Sequence, residues 1–238
     1  MAMNVPAGPA RELALANRIL YDHGIVDGLG HASMRHPDDP DLFLLSANRA
    51  PGLVRPDDIQ CYRLDGSALD ADGPRPYLER FIHSEIYRAR PDVQSVVHSH
   101  SMSVIPFACA DKPLRPLFHM AGFLGAGSAH FEIRDAGGDT DMLIRSPYLG
   151  EALAKSLGQH SCVLMRGHGS TVVGTGLRQA IYRAIYAEAN AKLQLSTLAL
   201  GEPTYLNAAE AQLASDTNDG QIPRSWDLWV GRLGALDF

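Results

Sequence analysis

One run of residues limits what this chain can become more than any other: Ser95-Val96-Val97-His98-Ser99-His100, a β-branched stretch ending in two histidines one residue apart. Such a run reads as a strand, and residues i and i+2 of a strand point to one face. His98 and His100 can therefore aim two imidazoles at one point. A third histidine sits between glycines in Met165-Arg166-Gly167-His168-Gly169. Three neutral imidazoles at a shared point form a strong site for a divalent transition metal. Three protein ligands also leave a position open for substrate or water, which separates a catalytic metal from a structural one. The pair alone leaves another reading open, with one histidine in solvent and the other hydrogen-bonded in the core. Gly-His-Gly favours the metal, because the glycines allow close backbone approach and unusual dihedrals around a polar residue.

The strand expected over 95–100 needs partners. The spacing of apolar residues predicts helices over 10–21, 78–90, 102–109, 149–157, 177–200 and 208–215. Strands are expected over 31–35, 42–46, 131–133, 142–144 and 162–166, and a hairpin over 57–69 turning at Asp65-Gly66. The helix over 78–90 stops before Pro91, as the restriction on pre-proline residues requires. Gly158 is a good C-cap for the helix before it. Strands and helices alternate without a regular βαβ period, and several strand pairs look like hairpins. The fold class is therefore α/β, with a central mixed, mainly antiparallel sheet covered by helices. The 238 residues suit one domain over 1–238, with 218–238 as a tail packing on the core or on a neighbouring subunit. Trp226 and Trp229 in that tail call for such cover.

Other function classes are disfavoured. A formal net charge of −6 gives no basic stripe for nucleic acid. No stretch reaches the length of a membrane-spanning helix. The first residues, Met1-Ala2-Met3-Asn4-Val5-Pro6, lack the basic and apolar parts of a secretion signal. Cys61, Cys109 and Cys162 are odd in number and far apart, which suits unpaired thiols in the cytoplasm. No GxGxxG follows a strand, so a Rossmann cofactor is not supported.

Glu79 is the carboxylate nearest to this chemistry. As a first-turn glutamate it would help the helix dipole. Its functional alternative is a metal ligand or an acid/base beside the metal. His83 lies one helical turn on, on the same face. Arg80 can bind an anionic group or form an exposed salt bridge. His23, His36 and His160 are expected near surface turns. His119 and His130 flank the Gly-rich stretch 122–127 and read as structural.

These residues resemble the class II aldolase/adducin family over nearly the whole chain. The resemblance rests on Gly30-His31-Ala32-Ser33-Met34-Arg35, on Glu79-Arg80-Phe81-Ile82-His83, and on Arg90-Pro91-Asp92-Val93 running into His98-Ser99-His100. It continues through Arg166-Gly167-His168-Gly169 and the long helix after it. It implies a three-layer αβα fold, a homotetramer with sites near subunit interfaces, and a metal held by His98, His100, His168 and Glu79. Zinc, manganese, iron and cobalt all suit such ligands. Adducin-like members are binding modules that do not keep a working site, so retention of all four positions implies an enzyme.

The departures narrow the substrate. Sugar-phosphate aldolases and 4-epimerases of the family carry small hydroxyl residues before the glutamate; here Tyr77-Leu78 stands there. The first loop reads Gly30-His31 in place of Gly-Asn, and the next reads Ser46-Ala47-Asn48-Arg49 in place of Thr-Pro-Ser-Gly. Phosphate needs convergent N–H and hydroxyl donors or basic residues. A planar acid fits Tyr77 and Leu78 better, with Ser46, Asn48, Arg49, Arg80 and His31 as candidates to hold its carboxylate. This pattern is similar to the decarboxylase branch, which acts on 3-hydroxy-2-methylpyridine-4,5-dicarboxylate and hydroxylated phthalates. The resemblance thus implies a small-molecule carboxylic acid as substrate and no nucleic acid or membrane partner. Glu79 is expected to return a proton to the carbon that loses carbon dioxide, with a pKa above that of a free glutamate. Alternative readings are a sugar-phosphate aldolase or 4-epimerase, a non-catalytic adducin-like module, and an iron-dependent oxidative decarboxylase of aryl pyruvates.

Overall fold

In the computed structural model, which describes residues 5–235, the central strand is Ser95–Ser99 (β4). On one side it pairs antiparallel with His31–Arg35 (β1), followed outward by Leu42–Ser46 (β2) and Ile59–Arg63 (β3). On the other side come Gly169–Gly174 (β7), Cys162–Met165 (β6) and Ala129–Phe131 (β5). The order is β3-β2-β1-β4-β7-β6-β5, and the β5–β6 pairing alone is parallel. The mixed, mainly antiparallel sheet expected from the sequence is what forms.

Helices cover both faces. Ala7–Asp22 (α1), the long Leu177–Leu200 (α6) and Ile222–Arg232 (α8) pack with Ala32, Val97, Leu164 and Val172 in one apolar core. Arg80–Ala89 (α2) and Pro147–Leu157 (α5) pack with Val96, Val163 and Val173 in the other. Val97 thus faces one layer while Val96 and His98 face the other, as the period of a strand requires. Both layers are covered, so β4 is buried throughout, and each polar residue in it needs a local partner.

Local signals explain most boundaries. Ser146 caps α5 by accepting the Leu149 N–H, Pro147 opens it, and Gly158 ends it at φ 50°. The remaining helices are Ile105–Cys109 (α3), Ile133–Gly137 (α4) and Ala208–Asp219 (α7). Trp226 and Trp229 of α8 are buried in the core with α1 and α6.

Several expectations need correction. Residues 133–137 are helical, because Glu132 accepts the Arg134 N–H and caps a turn there. Residues 142–144 form no strand, since the Leu143 and Ile144 N–H groups donate to Asp141 and Glu79 rather than to a neighbouring strand. The second arm of the hairpin over 57–69 is reduced to a single Tyr62–Ala68 bridge. Strand β7 was not anticipated, although Ser170-Thr171-Val172-Val173 is rich in β-branched residues. The expectation for residues 1–4, and the last three positions of the tail, lie outside the described residues.

Candidate metal centre and cavity

Four residues from three parts of the fold meet at the end of β4. His98 leaves the strand on the α2 side, and His100 follows just past its end. His168 lies in the tight turn from β6 to β7, where Gly167 takes φ 65°. A Cβ on Gly169 would collide with the Ser99 carbonyl oxygen and press on the His100 backbone. The glycine therefore lets the His168 turn close onto the end of β4. Glu79 stands at the N-cap of α2, and its side chain makes no capping bond. Its carboxylate instead accepts the Ile144 N–H and faces His98 and His168.

The donor atoms converge. His100 Nε2 lies 3.3 Å from His98 Nε2 and 3.1 Å from His168 Nε2. Glu79 Oε2 lies 3.8 Å from His98 Nε2 and 3.6 Å from His168 Nε2. One ligand atom from each residue falls within 4.8 Å of every other. These carboxylate distances exceed a hydrogen bond. They are of the size expected between ligands that share one small cation.

Electrostatics agree with that use. Burial holds the His98 imidazole well below its ordinary pKa, with the neighbouring histidines adding to the effect against the opposing pull of Glu79. Burial also lowers His100, and His168 lowers it further. A neutral imidazole offers a lone pair to a metal. Burial pushes the Glu79 carboxyl up, but the His168 and His98 imidazoles and the Ile144 N–H outweigh it and hold the group at about 2. This corrects the expectation that Glu79 titrates above a free glutamate. Three imidazole nitrogens with one ionised carboxylate oxygen form a donor set that fits a divalent transition metal. The orientation of His98 is backed by Thr171 Oγ1, 3.4 Å from its Nδ1.

A cavity of about 280 Å³ opens beside this cluster. His31, Asn48, Tyr77, Glu79 and His100 give it polar atoms, and Leu29, Leu78 and Leu143 give it apolar walls. Of the residues expected to bind substrate, His31, Asn48 and Tyr77 are thus at the cavity. Ser46 is fully buried behind it, with its hydroxyl donating to Tyr77 Oη at 3.3 Å. Tyr77 in turn donates to the Arg49 carbonyl. The two expected guanidiniums are elsewhere. Arg49 turns outward to Asp58 at 3.1 Å, with 42% of its side chain exposed. Arg80 donates to the Gly66 and Tyr77 carbonyls at 2.7 and 3.1 Å and lies over the Phe81 ring. Neither lines the cavity. Leu29 and Leu143 were missed, because they come from irregular segments whose course no periodicity reveals.

Behind His31 lies a second polar group. His31 Nδ1 is 2.6 Å from His83 Nε2, His83 Nδ1 is 2.6 Å from Ser33 Oγ, and Ser33 Oγ is 2.7 Å from Tyr87 Oη. Burial lowers His83 to about 3 and His31 well below its ordinary value. Both rings are therefore neutral near pH 7.

The comparisons with known proteins agree with this geometry. The family model described as "Class II Aldolase and Adducin N-terminal domain" matches residues 11–195. Decarboxylase tropJ of Talaromyces stipitatus is 38% identical over 96% of this chain and 95% of its own. The 3,4-dihydroxyphthalate decarboxylase of Rhodococcus jostii is 32% identical over 79% of this chain and 80% of its own. Among solved structures, an L-fuculose 1-phosphate aldolase from Glaciozyma antarctica superposes with a TM-score of 0.79 at 24% identity, over 96% of this chain and 90% of that one.

Proposed function

The chain belongs to the class II aldolase and adducin family, and from that premise we propose that it is a divalent-metal-dependent carbon–carbon lyase that decarboxylates a hydroxylated aromatic or heteroaromatic acid. The observation that carries this reading is the three-imidazole, one-carboxylate cluster at the mouth of a cavity with leucine walls. The names of the relatives, decarboxylases among them, point to the same reaction.

His98, His100, His168 and Glu79 hold the metal, for which zinc, manganese, iron and cobalt are the candidates. When bound, the cation supplies a Lewis acid that stabilises negative charge on a substrate oxygen. Leu29, Leu78 and Leu143 pack the flat ring and keep water from it. Asn48 and Tyr77 shape the polar side of the cavity, and His31 meets a carboxylate oxygen there. A glutamate held as low as Glu79 accepts a proton before it can give one. It takes the proton of the ring hydroxyl and returns it to the ring carbon from which carbon dioxide departs. Arg49 and Arg80 take no part, because their guanidiniums are engaged away from the cavity.

We place this enzyme in the cytoplasm as a homotetramer, with 1–238 working as one domain. Unpaired Cys61, Cys109 and Cys162 suit a reducing compartment. Leu193, Leu195, Leu198 and Leu200 are exposed at the end of α6, as expected of a surface covered by another subunit. No helix among the described residues is long and apolar enough to cross a membrane.

The test is a panel assay on metal-loaded protein. Carbon dioxide release from a hydroxyphthalate or a pyridine dicarboxylate, without oxygen uptake, is the expected result. Aldehyde release from sugar phosphates would instead identify an aldolase. Oxygen-dependent turnover of an aryl pyruvate would identify the oxidative reaction, and absence of stoichiometric metal would identify a binding module.

A further inference from the structure

The cavity takes one of its walls from His31, and the groups behind His31 fix how that ring is protonated. Strand β1 contributes His31 and Ser33, two residues apart on one face; α2 contributes His83 and Tyr87, one turn apart. The four side chains interleave as a ladder, His31–His83–Ser33–Tyr87, with each step between 2.6 and 2.7 Å. A neutral imidazole has one N–H and one lone pair, so the two bonds at His83 must run in the same direction.

The far end decides that direction. Tyr87 is fully buried, and its hydroxyl finds one acceptor among the described residues, Ser33 Oγ. The Arg35 guanidinium over its ring can only donate. A buried hydroxyl is not left without an acceptor, so Tyr87 donates to Ser33. The proton of the buried Ser33 hydroxyl has no other acceptor among the described residues than His83 Nδ1, so Ser33 donates there and His83 carries its proton on Nε2. That proton goes to His31 Nδ1. His31 is left with its own proton on Nε2, an atom that makes no hydrogen bond among the described residues and is not sealed from solvent. His31 lines the cavity, so this nitrogen opens there.

We propose that His83 is a positioning residue that locks His31 in the Nε2–H tautomer, so that the cavity presents a neutral, fixed N–H donor to an oxygen of the substrate carboxylate. The opposite tautomer would offer a lone pair and repel that oxygen. This gives the cavity a directional anion contact without a guanidinium in its lining. The carboxylate part rests on the function proposed above; the tautomer does not.

Nitrogen NMR of histidine-labelled protein, with the His31 signals identified through a His31→Asn variant, reads the tautomer directly. Wild-type protein is expected to show His31 protonated on Nε2. A proton on Nδ1, or a mixture of the two, would overturn the proposal without bearing on the reaction assigned. His83→Phe should release His31 into a tautomer mixture while bound zinc stays at the wild-type level. On a turned-over hydroxyaryl acid, its kcat/KM should fall on the order of ten- to a hundredfold, the worth of a hydrogen bond to a charged oxygen. His83→Gln, which can accept from Ser33 and donate to His31, should recover most of that loss. Equal losses in both variants with an unchanged His31 tautomer would mean that His83 merely fills space, and would overturn the proposal. If wild-type protein decarboxylates nothing in the panel, the proposed function fails while the NMR result on His31 still stands or falls by itself.

Discussion

Two groups of histidines stand side by side on one wall of the molecule, and they are built on opposite principles. In His31, His83, Ser33 and Tyr87 the polar atoms pair off in sequence, so donors and acceptors balance. In His98, His100 and His168 the Nε2 atoms converge, and His100 Nε2 faces two other imidazole nitrogens at once. Burial keeps His98 and His100 neutral, so that corner concentrates lone pairs, with Glu79 adding an ionised oxygen. The ladder is satisfied by its own protons. The cluster calls for a cation. Both take a member from α2, Glu79 for one and His83 for the other, one turn apart.

The largest effect separating the two groups comes from His98→Ala. It should abolish bound metal and turnover together, as read by elemental analysis and carbon dioxide release; retention of both would break the distinction. Zinc added to wild-type protein at a hundred times its Kd should raise stability by about 2.7 kcal/mol, and by almost nothing in His98→Ala. Next comes Gly169→Ala. The new methyl meets the Ser99 carbonyl, which should destabilise the fold by about 1–3 kcal/mol and weaken metal binding by moving His168 away from His100. Denaturant unfolding and a zinc titration measure the two effects.

Smaller again is Ser33→Ala. It removes the donor to His83 Nδ1 and the acceptor for Tyr87, at about 1–3 kcal/mol of stability, yet metal content should stay at the wild-type level. Loss of metal in this variant would mean that the two groups are one unit. Smallest are Arg49→Ala and Arg80→Ala. Their guanidiniums lie outside the cavity, and an exposed pair such as Arg49–Asp58 is worth under about 1 kcal/mol. KM should change by less than about twofold, since surface changes rarely exceed about 0.5 kcal/mol. A tenfold rise would return these arginines to the substrate.

The histidines of the metal corner could be read from the sequence because the signals around them are local, whereas Glu79 joined them only through the family resemblance. The alternation of a strand puts His98 beside His100, and the glycines around His168 announce a tight approach that Gly167 and Gly169 then make. Strands β1 and β2 and helix α6 likewise follow from their own periodicity. The placement of Arg49 and Arg80 could not be read, because a long side chain is placed by tertiary acceptors, here Asp58 and the Gly66 carbonyl, which lie 9 and 14 residues away. The strand expected over 142–144 failed for a related reason: the Ile144 N–H is spent on Glu79, 65 residues earlier. His83 was recognised as sharing a face with Glu79. Its partners across the sheet needed the pairing of β1 with β4 before they could be seen.

A crystal structure of protein equilibrated with zinc, with anomalous data collected at the zinc edge, tests the central claim most directly. The expected map has one strong peak per chain, about 2.0–2.2 Å from the Nε2 atoms of His98, His100 and His168 and from a Glu79 oxygen. A map with no peak between those three rings, or with zinc bound only at other sites, would contradict it.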